Sequence, residues 1–293
     1  MFLGGAYLIN YTNEVKLQSG QVYSLDMVRL SLELREDMQP FVTWLSNKNV
    51  TEDNFDVRHR LSLTEFTYRD FFNIKTDTYS FVLAIGFNGS RADRNKGFIE
   101  FNPNKCKGAM FDKVFNKLRD YIISSDVVRY DLAIDIPIQR YLVRLVKDNR
   151  NYQYICSRES ETEYLGVRNK SGFTKLYDKT KESNLDYDLT RLEITCELAT
   201  LAENKEGITD VSKVNFPCVS ILHEQEGLVF DKLSSTDKVL IQALKMLDSP
   251  NSLLKQLKYE KRKKIEPYLC ERTIQLDVVA LKEIIKQVRV YQF

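Results

Sequence analysis

Apolar and polar positions alternate over many short runs in the first two hundred residues. That is the period of strands whose two faces meet different surroundings. The runs SLDMVRLSLEL at 24–34, HRLSLTEFTY at 59–68, TYSFVLAIGF at 78–87, GFIEFN at 97–102 and VVRYDLAIDI at 127–136 read this way. So do shorter runs at 152–157, 163–167, 173–178 and 190–197. Asn88-Gly89-Ser90 reads as a turn, 90–96 as a polar mobile loop, and Pro103 as the stop of the strand before it. Helical spacing appears at 36–48, with Phe41, Trp44 and Leu45 in register and Pro40 in the first turn. It returns at 110–123, where Met110, Phe111, Val114, Phe115, Leu118, Tyr121 and Ile122 form one stripe. A further helix is expected after Pro137, with Tyr141, Leu142, Leu145 and Val146 inward. Beyond about Leu198 the strand signals thin out, and helices are expected at 234–247, 252–264 and 277–290. The pattern predicts an α+β fold: a mainly antiparallel curved sheet covered by helices, followed by a helical C-terminal region. The expected division is a sheet-based domain at 1–225 and a basic helical region at 226–293.

One stretch stands apart, YLGVRNKSGFTKLYDKTKE at 164–182. Lys170-Ser171-Gly172 reads as a tight turn between two extended runs. Strand alternation after the turn puts Lys175, Tyr177 and Lys179 on one face and Leu176 on the other. A phenol between two ammonium groups suits attack on a phosphodiester: the lysines can bind phosphate and favour the phenolate against a reference pKa of about 10. The same pattern is also an ordinary exposed strand face, and the chain has 16 tyrosines. Tyr187 is the reserve nucleophile, disfavoured by the flanking Asp186 and Asp188.

Acids occupy alternate positions on neighbouring strands. Arg129, Asp131 and Asp135 share a face of the run at 127–136, and Arg191 and Glu193 repeat the arrangement at 190–197. Carboxylates on half-buried strands need a partner. Arg–carboxylate ladders across the sheet would supply one, and a divalent metal would supply another. Together with Glu100, the acids Asp131, Asp135 and Glu193 form a set of four that adjacent strands can bring together. The two histidines, His59 and His223, lie far apart, so a metal here would take oxygen ligands, which favours Mg²⁺ or Mn²⁺. Convergent acids beside Tyr177 suggest metal-assisted phosphoryl transfer. In that reading Tyr177 becomes joined to one DNA end, and Lys175, Lys179 and Arg191 offset the phosphate charge.

Composition narrows the setting. The chain has 293 residues, 43% hydrophobic and 29% charged, with a net charge of +2. Its five cysteines are scattered without a C-x-x-C pair, so disulfides and a zinc site are not expected and a cytoplasmic location is. The start, MFLGGAYLINYTNE, has no early basic cluster and no long apolar run; neither a signal peptide nor a membrane span is expected. The segment at 252–264 is strongly basic, with Lys258, Lys261, Arg262, Lys263 and Lys264. It reads either as a grip on duplex phosphates or as a solvated helical face.

The ordered motifs R-x-D-x-A-x-D at 129–135, L-Y-D-K-x-x-E at 176–182 and R-L-E at 191–193 resemble rolling-circle replication initiators. Among these, the motifs look most like the Rep_trans group of plasmid initiators and relaxases. Its pattern R-x-Y-x-K-x-x-E is met by Tyr177, Lys179 and Glu182, with Lys175 where arginine is usual. The run at 24–34 with Asp26, and FIEFNPNK, also look like gene II-type replication proteins of phages and plasmids. The resemblance spans roughly residues 24–198 and is patchy before 97. It implies a nicking domain, a divalent cation, plasmid or mobile-element replication, origin DNA as partner and a homodimer. Arg129, Arg168, Lys170 and the basic residues at 258–264 are the expected DNA contacts, and a host helicase is a candidate partner. A membrane is not. The absent H-u-H motif argues against the branch of relaxases and viral initiators that use it. Three competitors share the sequence features: a non-enzymatic origin-binding initiator, a conjugative relaxase of the same chemistry, and a metal-dependent nuclease that uses water.

Overall fold

Two long neighbouring strands form the spine, β2 (Val22–Leu34) and β7 (Ile122–Ile136), paired antiparallel along most of their length. The computed structural model describes residues 14–47, 55–62, 68–76, 80–88, 95–106, 109–157, 161–168, 170–197, 215–222, 232–245, 253–254, 256–269, 271–274 and 276–288. On one side of the spine lie β6 (Lys96–Phe101), β5 (Ser80–Phe87), β4 (Tyr68–Thr76) and β3 (Phe55–Leu61). On the other lie β12 (Thr190–Glu197), β11 (Thr174–Asp178), β10 (Glu161–Leu165) and β9 (Tyr152–Cys156). With β1 (Glu14–Lys16) on β2, this makes an eleven-stranded sheet in which every pairing is antiparallel. The α+β expectation, a large antiparallel sheet with helices on it, is met.

Helices cover one face. Helix α1 (Gln39–Ser46) contributes Phe41 and Leu45, and α2 (Ala109–Arg119) contributes Phe111, Val114, Phe115 and Leu118. They pack with Leu25, Leu30, Tyr130, Leu132, Ile134, Leu192 and Ile194 in one apolar core. Fully burying each such aliphatic or aromatic side chain stabilises the fold by about 1.5–3 kcal/mol. Three register shifts along β2–β7, between Leu25 and Met27, Arg29 and Leu30, and Glu33 and Leu34, re-aim side chains and bend the ladder.

Several boundaries differ from expectation. The helix expected at 110–123 stops at Arg119, where the Tyr121 amide donates to the Leu118 carbonyl; Ile122 and Ile123 already belong to β7. The helix expected after Pro137 is a 3-10 turn at Arg140–Leu142 followed by strand β8 (Val143–Leu145), and Val146 is exposed. Its partners come from far along the chain: β8, β13 (Val219–Leu222) and β14 (Glu271–Ile274) form a second, three-stranded sheet. The run at 59–68 is the end of β3 and the start of β4; 63–67 lie outside the described residues. Of the polar loop at 90–96, residues 90–94 also lie outside them, and Lys96 already belongs to β6.

After α3 (Lys179–Ser183) the described residues include helices α4 (Ser235–Lys245), α5 (Tyr259–Ile265) and α6 (Val278–Val288). The first two form a small core of their own with Leu233, Ile241, Leu244, Leu254 and Ile265. Helix α6 instead lays Ala280, Leu281, Ile284 and Ile285 into the main core. No helix among the described residues is long and apolar enough to cross a membrane.

Candidate functional site

The sheet face opposite the main core carries the candidate residues, and strand pairing fixes which of them meet there. Cross-strand partners share a face. One row runs Thr162–Tyr177–Arg191–Asp135 across β10, β11, β12 and β7. The row beside it runs Gln153–Tyr164–Lys175–Glu193–Ala133. The alternation that buries Leu176, Leu192 and Ile134 thus turns Tyr177, Arg191 and Asp135 to the opposite side.

At the centre, the Tyr177 hydroxyl donates a hydrogen bond to Glu193 Oε1 at 2.6 Å. Lys175 Nζ stands 3.8 Å from Glu193 Oε2 and 3.8 Å from the centroid of the Tyr177 ring. Lys179 Nζ lies 5.9 Å from the same ring and forms an ion pair with Glu182. Asp178 caps the short helix α3 by accepting from the Lys181 amide at 3.0 Å, which sets Lys179 and Glu182 immediately after the tyrosine strand.

Arg191 grips Asp135 with two hydrogen bonds, Nε to Oδ1 at 2.6 Å and Nη2 to Oδ2 at 2.7 Å. Its third contact is Asp26, with Nη1 to Oδ1 at 3.0 Å. Asp26 sits at the first register shift of β2, where the bulge turns it to this face. Asn102, just past β6, donates to Asp26 at 3.2 Å, and its own side-chain oxygen accepts from the Asn104 and Lys105 amides. At the level of sequence, Asp26 and Asn102 enter only through the resemblance of the runs that contain them, without an assigned role. The available signal was an acid that breaks the apolar alternation at 24–34, and the Asx-type turn residues of FNPNK.

The protonation of the site corrects one expectation. Burial pushes the Tyr177 hydroxyl well above the ordinary phenol range, and the charge of Glu193 pushes it further; Arg191 opposes them. Tyr177 is 6% exposed and rests as a neutral phenol. Each flanking lysine faces a carboxylate, Glu193 or Glu182, which offsets its pull toward the phenolate. Burial also raises the Glu193 carboxyl, while Lys175 pulls it down.

The four acids expected as metal ligands are not brought together. Glu100 is held by Arg29 at 2.5 Å, Asp135 by Arg191, and Glu193 by the Tyr177 hydroxyl. Asp131 Oδ2 lies 3.4 Å from Arg129, and its Oδ1 is buried without a hydrogen-bond partner. No group of three or more histidine, cysteine or acidic side chains among the described residues is placed to hold a metal ion. The side chains as arranged do not fit a divalent cation. The Arg–carboxylate ladder describes Glu100, Asp131 and Asp135 better.

The expected DNA contacts are spread over two regions. Arg168 and Lys170 are exposed in the β10–β11 turn, and Arg129 lies on the site face. The basic segment is a shorter helix than expected, and Lys261 and Lys264 both pair with buried Asp237 near the start of α4. Those hydrogen bonds, Lys261 first, hold the Asp237 carboxyl well below the usual carboxylate range. Lys258 and Lys263 remain exposed, and Arg262 stands 5.8 Å from the Tyr259 ring centroid.

No family model matches the chain. A stretch of 131 residues, 44% of the chain, is 27% identical to a replication initiation protein of Staphylococcus aureus and covers 38% of that protein. A second replication initiation protein of the same organism is 26% identical over the same length. The chain thus spans well under half the length of the curated relatives it matches. Among solved structures it is similar to a rolling circle replication initiator protein from Geobacillus stearothermophilus, with a TM-score of 0.36 and 15% identity over 61% of this chain and 75% of that one. The similarity to replication initiation proteins that the motifs at 129–135, 176–182 and 191–193 suggested is found in these sequence relatives.

Proposed function

We propose that this protein is a rolling-circle replication initiator of a plasmid or mobile element, and that it nicks one DNA strand through Tyr177. The observation that carries the chemistry is the 2.6 Å hydrogen bond from the Tyr177 hydroxyl to Glu193. A buried neutral phenol needs a proton acceptor at the moment it attacks, and Glu193 is in hydrogen-bond reach. The Tyr177 oxygen forms the new bond to phosphorus, Glu193 takes its proton, and the phosphorus–oxygen bond to the neighbouring nucleotide breaks, its oxygen taking a proton from solvent to leave as a free hydroxyl. The phosphotyrosyl ester keeps the energy of the broken linkage, so the reverse attack rejoins the strand. Lys175, 3.8 Å from Glu193 and beside the phenol ring, supplies positive charge to the phosphate. Arg191 acts through the Asp135 and Asp26 contacts that fix it beside Tyr177. As arranged, Glu100, Asp135 and Glu193 are engaged by Arg29, Arg191 and Tyr177, and the step described here draws on Glu193, Lys175 and Arg191 alone.

The test is a cleavage assay on supercoiled plasmid bearing the protein's own origin, comparing wild type with Tyr177→Phe. The expected product is nicked DNA carrying a denaturant-resistant protein adduct, absent in the variant. Nicking without an adduct would indicate water as the nucleophile, and an adduct that survives the substitution would move the role to Tyr187. Parallel reactions with Mn²⁺ and with EDTA test the divalent-cation expectation separately.

A binding-only initiator is the second reading, favoured by the extent to which the charged face is already paired. Arg29–Glu100, Arg129–Asp131 and Arg191–Asp135 form ladders that need no substrate to explain them. Tight origin binding with no strand cleavage under any condition would select it.

A further inference from the structure

Beside the Tyr177 row, the same sheet face opens into a hollow of about 570 Å³ at the β9–β10–β11 end. That volume lies within the roughly 300–1,000 Å³ of small-ligand sites. Its floor is aromatic. Tyr164 pairs with Lys175 across the β10–β11 hairpin, and Phe173 precedes Lys175 by two residues, so all three share a face. The Tyr164 and Phe173 rings are nearly parallel, 17° apart in orientation, with centroids 5.9 Å apart. A base inserted between two rings needs about 6.8 Å, twice the 3.4 Å stacking rise. No base fits between the rings, so a base can stack only on an outer face of the pair, which then serves as its platform.

The rim is polar and positive. Lys175 closes the end nearest Tyr177, exposed Arg168 stands on the turn, and Asn151 and Gln153 add amides; the lining contains no carboxylate. The turn is built to hold the platform close. Gly166 has φ +95°, and a Cβ there would sit 3.3 Å from the Phe173 Cα.

We propose that this hollow binds single-stranded DNA adjoining the cleaved phosphodiester, with a base stacked on Tyr164 and Phe173 and phosphates held by Lys175 and Arg168. The inference rests on the strand-cleavage reading for the position of the scissile phosphate. Single strands rather than duplex are the fit because a platform can engage only a base face that is free of its own stack. The positive rim supplies charge complementarity to the backbone. Continuity with the Tyr177–Lys175 rows makes the hollow a track for one flank of the nick.

The test measures fluorescence anisotropy of a short labelled oligonucleotide of mixed sequence with the full chain carrying Tyr177→Phe, so that binding is read without cleavage. Adding Tyr164→Ala is expected to weaken single-strand binding about tenfold, within the range for loss of one base–aromatic stack, while a duplex of the same sequence is bound as before. Tyr164→Phe keeps the ring and is expected to keep the affinity. Arg168→Ala, at an exposed position, is expected to lower the salt slope of single-strand binding by roughly 0.7. A Tyr164→Ala protein with unchanged melting temperature and unchanged single-strand affinity would overturn the proposal, as would absence of oligonucleotide binding by the parent. The two readings separate cleanly. Tyr177-dependent nicking with Tyr164-independent binding removes the groove and keeps the nuclease; Tyr164-dependent binding without nicking does the reverse.

Discussion

In the proposed reaction, Glu193 holds the position on which the chemistry of Tyr177 turns. Burial raises its carboxyl above the ordinary value of 4.5, with Lys175 acting against that and Asp26 with it. A proton acceptor works only when ionised, so nicking is expected to rise with pH as Glu193 loses its proton, along a limb displaced above 4.5. Glu193→Gln keeps the shape of the side chain and removes the base. The expected result is a nicking rate lower by about 10²–10⁴-fold and loss of that acid limb. Initial rates across a pH series check both, and an unchanged profile in the variant would assign the proton to another acceptor. At this scale the sequence was readable where partners lie two positions apart on a strand. Lys175, Tyr177, Arg191 and Glu193 fall on the expected face because strand alternation is local. The Asp26–Arg191 contact joins residues 165 positions apart through a bulge, and no local pattern encodes that.

Elements were legible in proportion to how local their causes are. The strand at 24–34 and the helix at 277–290 carry their period within their own residues, and both are found within a few positions. The segment after Pro137 has apolar spacing that suits a helix, yet it folds as β8 because β13 supplies an edge to pair with. Tertiary pairing outweighed local spacing. Close strand packing supplies a testable case in β6. At Gly97 a Cβ would lie 2.7 Å from the Ala84 carbonyl oxygen and 2.8 Å from Leu34 Cδ1, and the carbonyl belongs to the paired strand β5. Gly97→Ala is expected to destabilise the fold by about 1–3 kcal/mol as an overpacking change. Denaturant unfolding monitored by circular dichroism checks it, and a variant as stable as wild type would mean that β5 and β6 separate with little strain.

For the whole molecule, the C-terminal segment and the sheet share one core. Helix α6 buries Ile284 and Ile285 completely against the residues of β1 and β2. The Asp277 amide ahead of it donates to the Tyr23 hydroxyl at 3.0 Å, on a tyrosine that is 1% exposed. Strand β14 adds a second tie, since it reaches β8 through β13. Both ties cross the position near 225 where the expected sheet-based and helical regions meet. Basic and helical texture after 226 records what faces solvent, whereas the docking face of α6 is four apolar residues whose target is about 250 positions away. Two outcomes follow from this packing. Ile284→Ala is expected to cost about 2–5 kcal/mol, the range for truncating a buried aliphatic side chain, and to lower the unfolding midpoint of the main sheet. A fragment ending at residue 225 is expected to lose cooperative unfolding, because Tyr23 and its neighbours in the core would face water. Urea unfolding of the full chain, the point variant and the fragment measures both. If the fragment unfolds cooperatively with the midpoint of the full chain, the sheet stands without α6, and the burial of Ile284 and Ile285 contributes to docking alone.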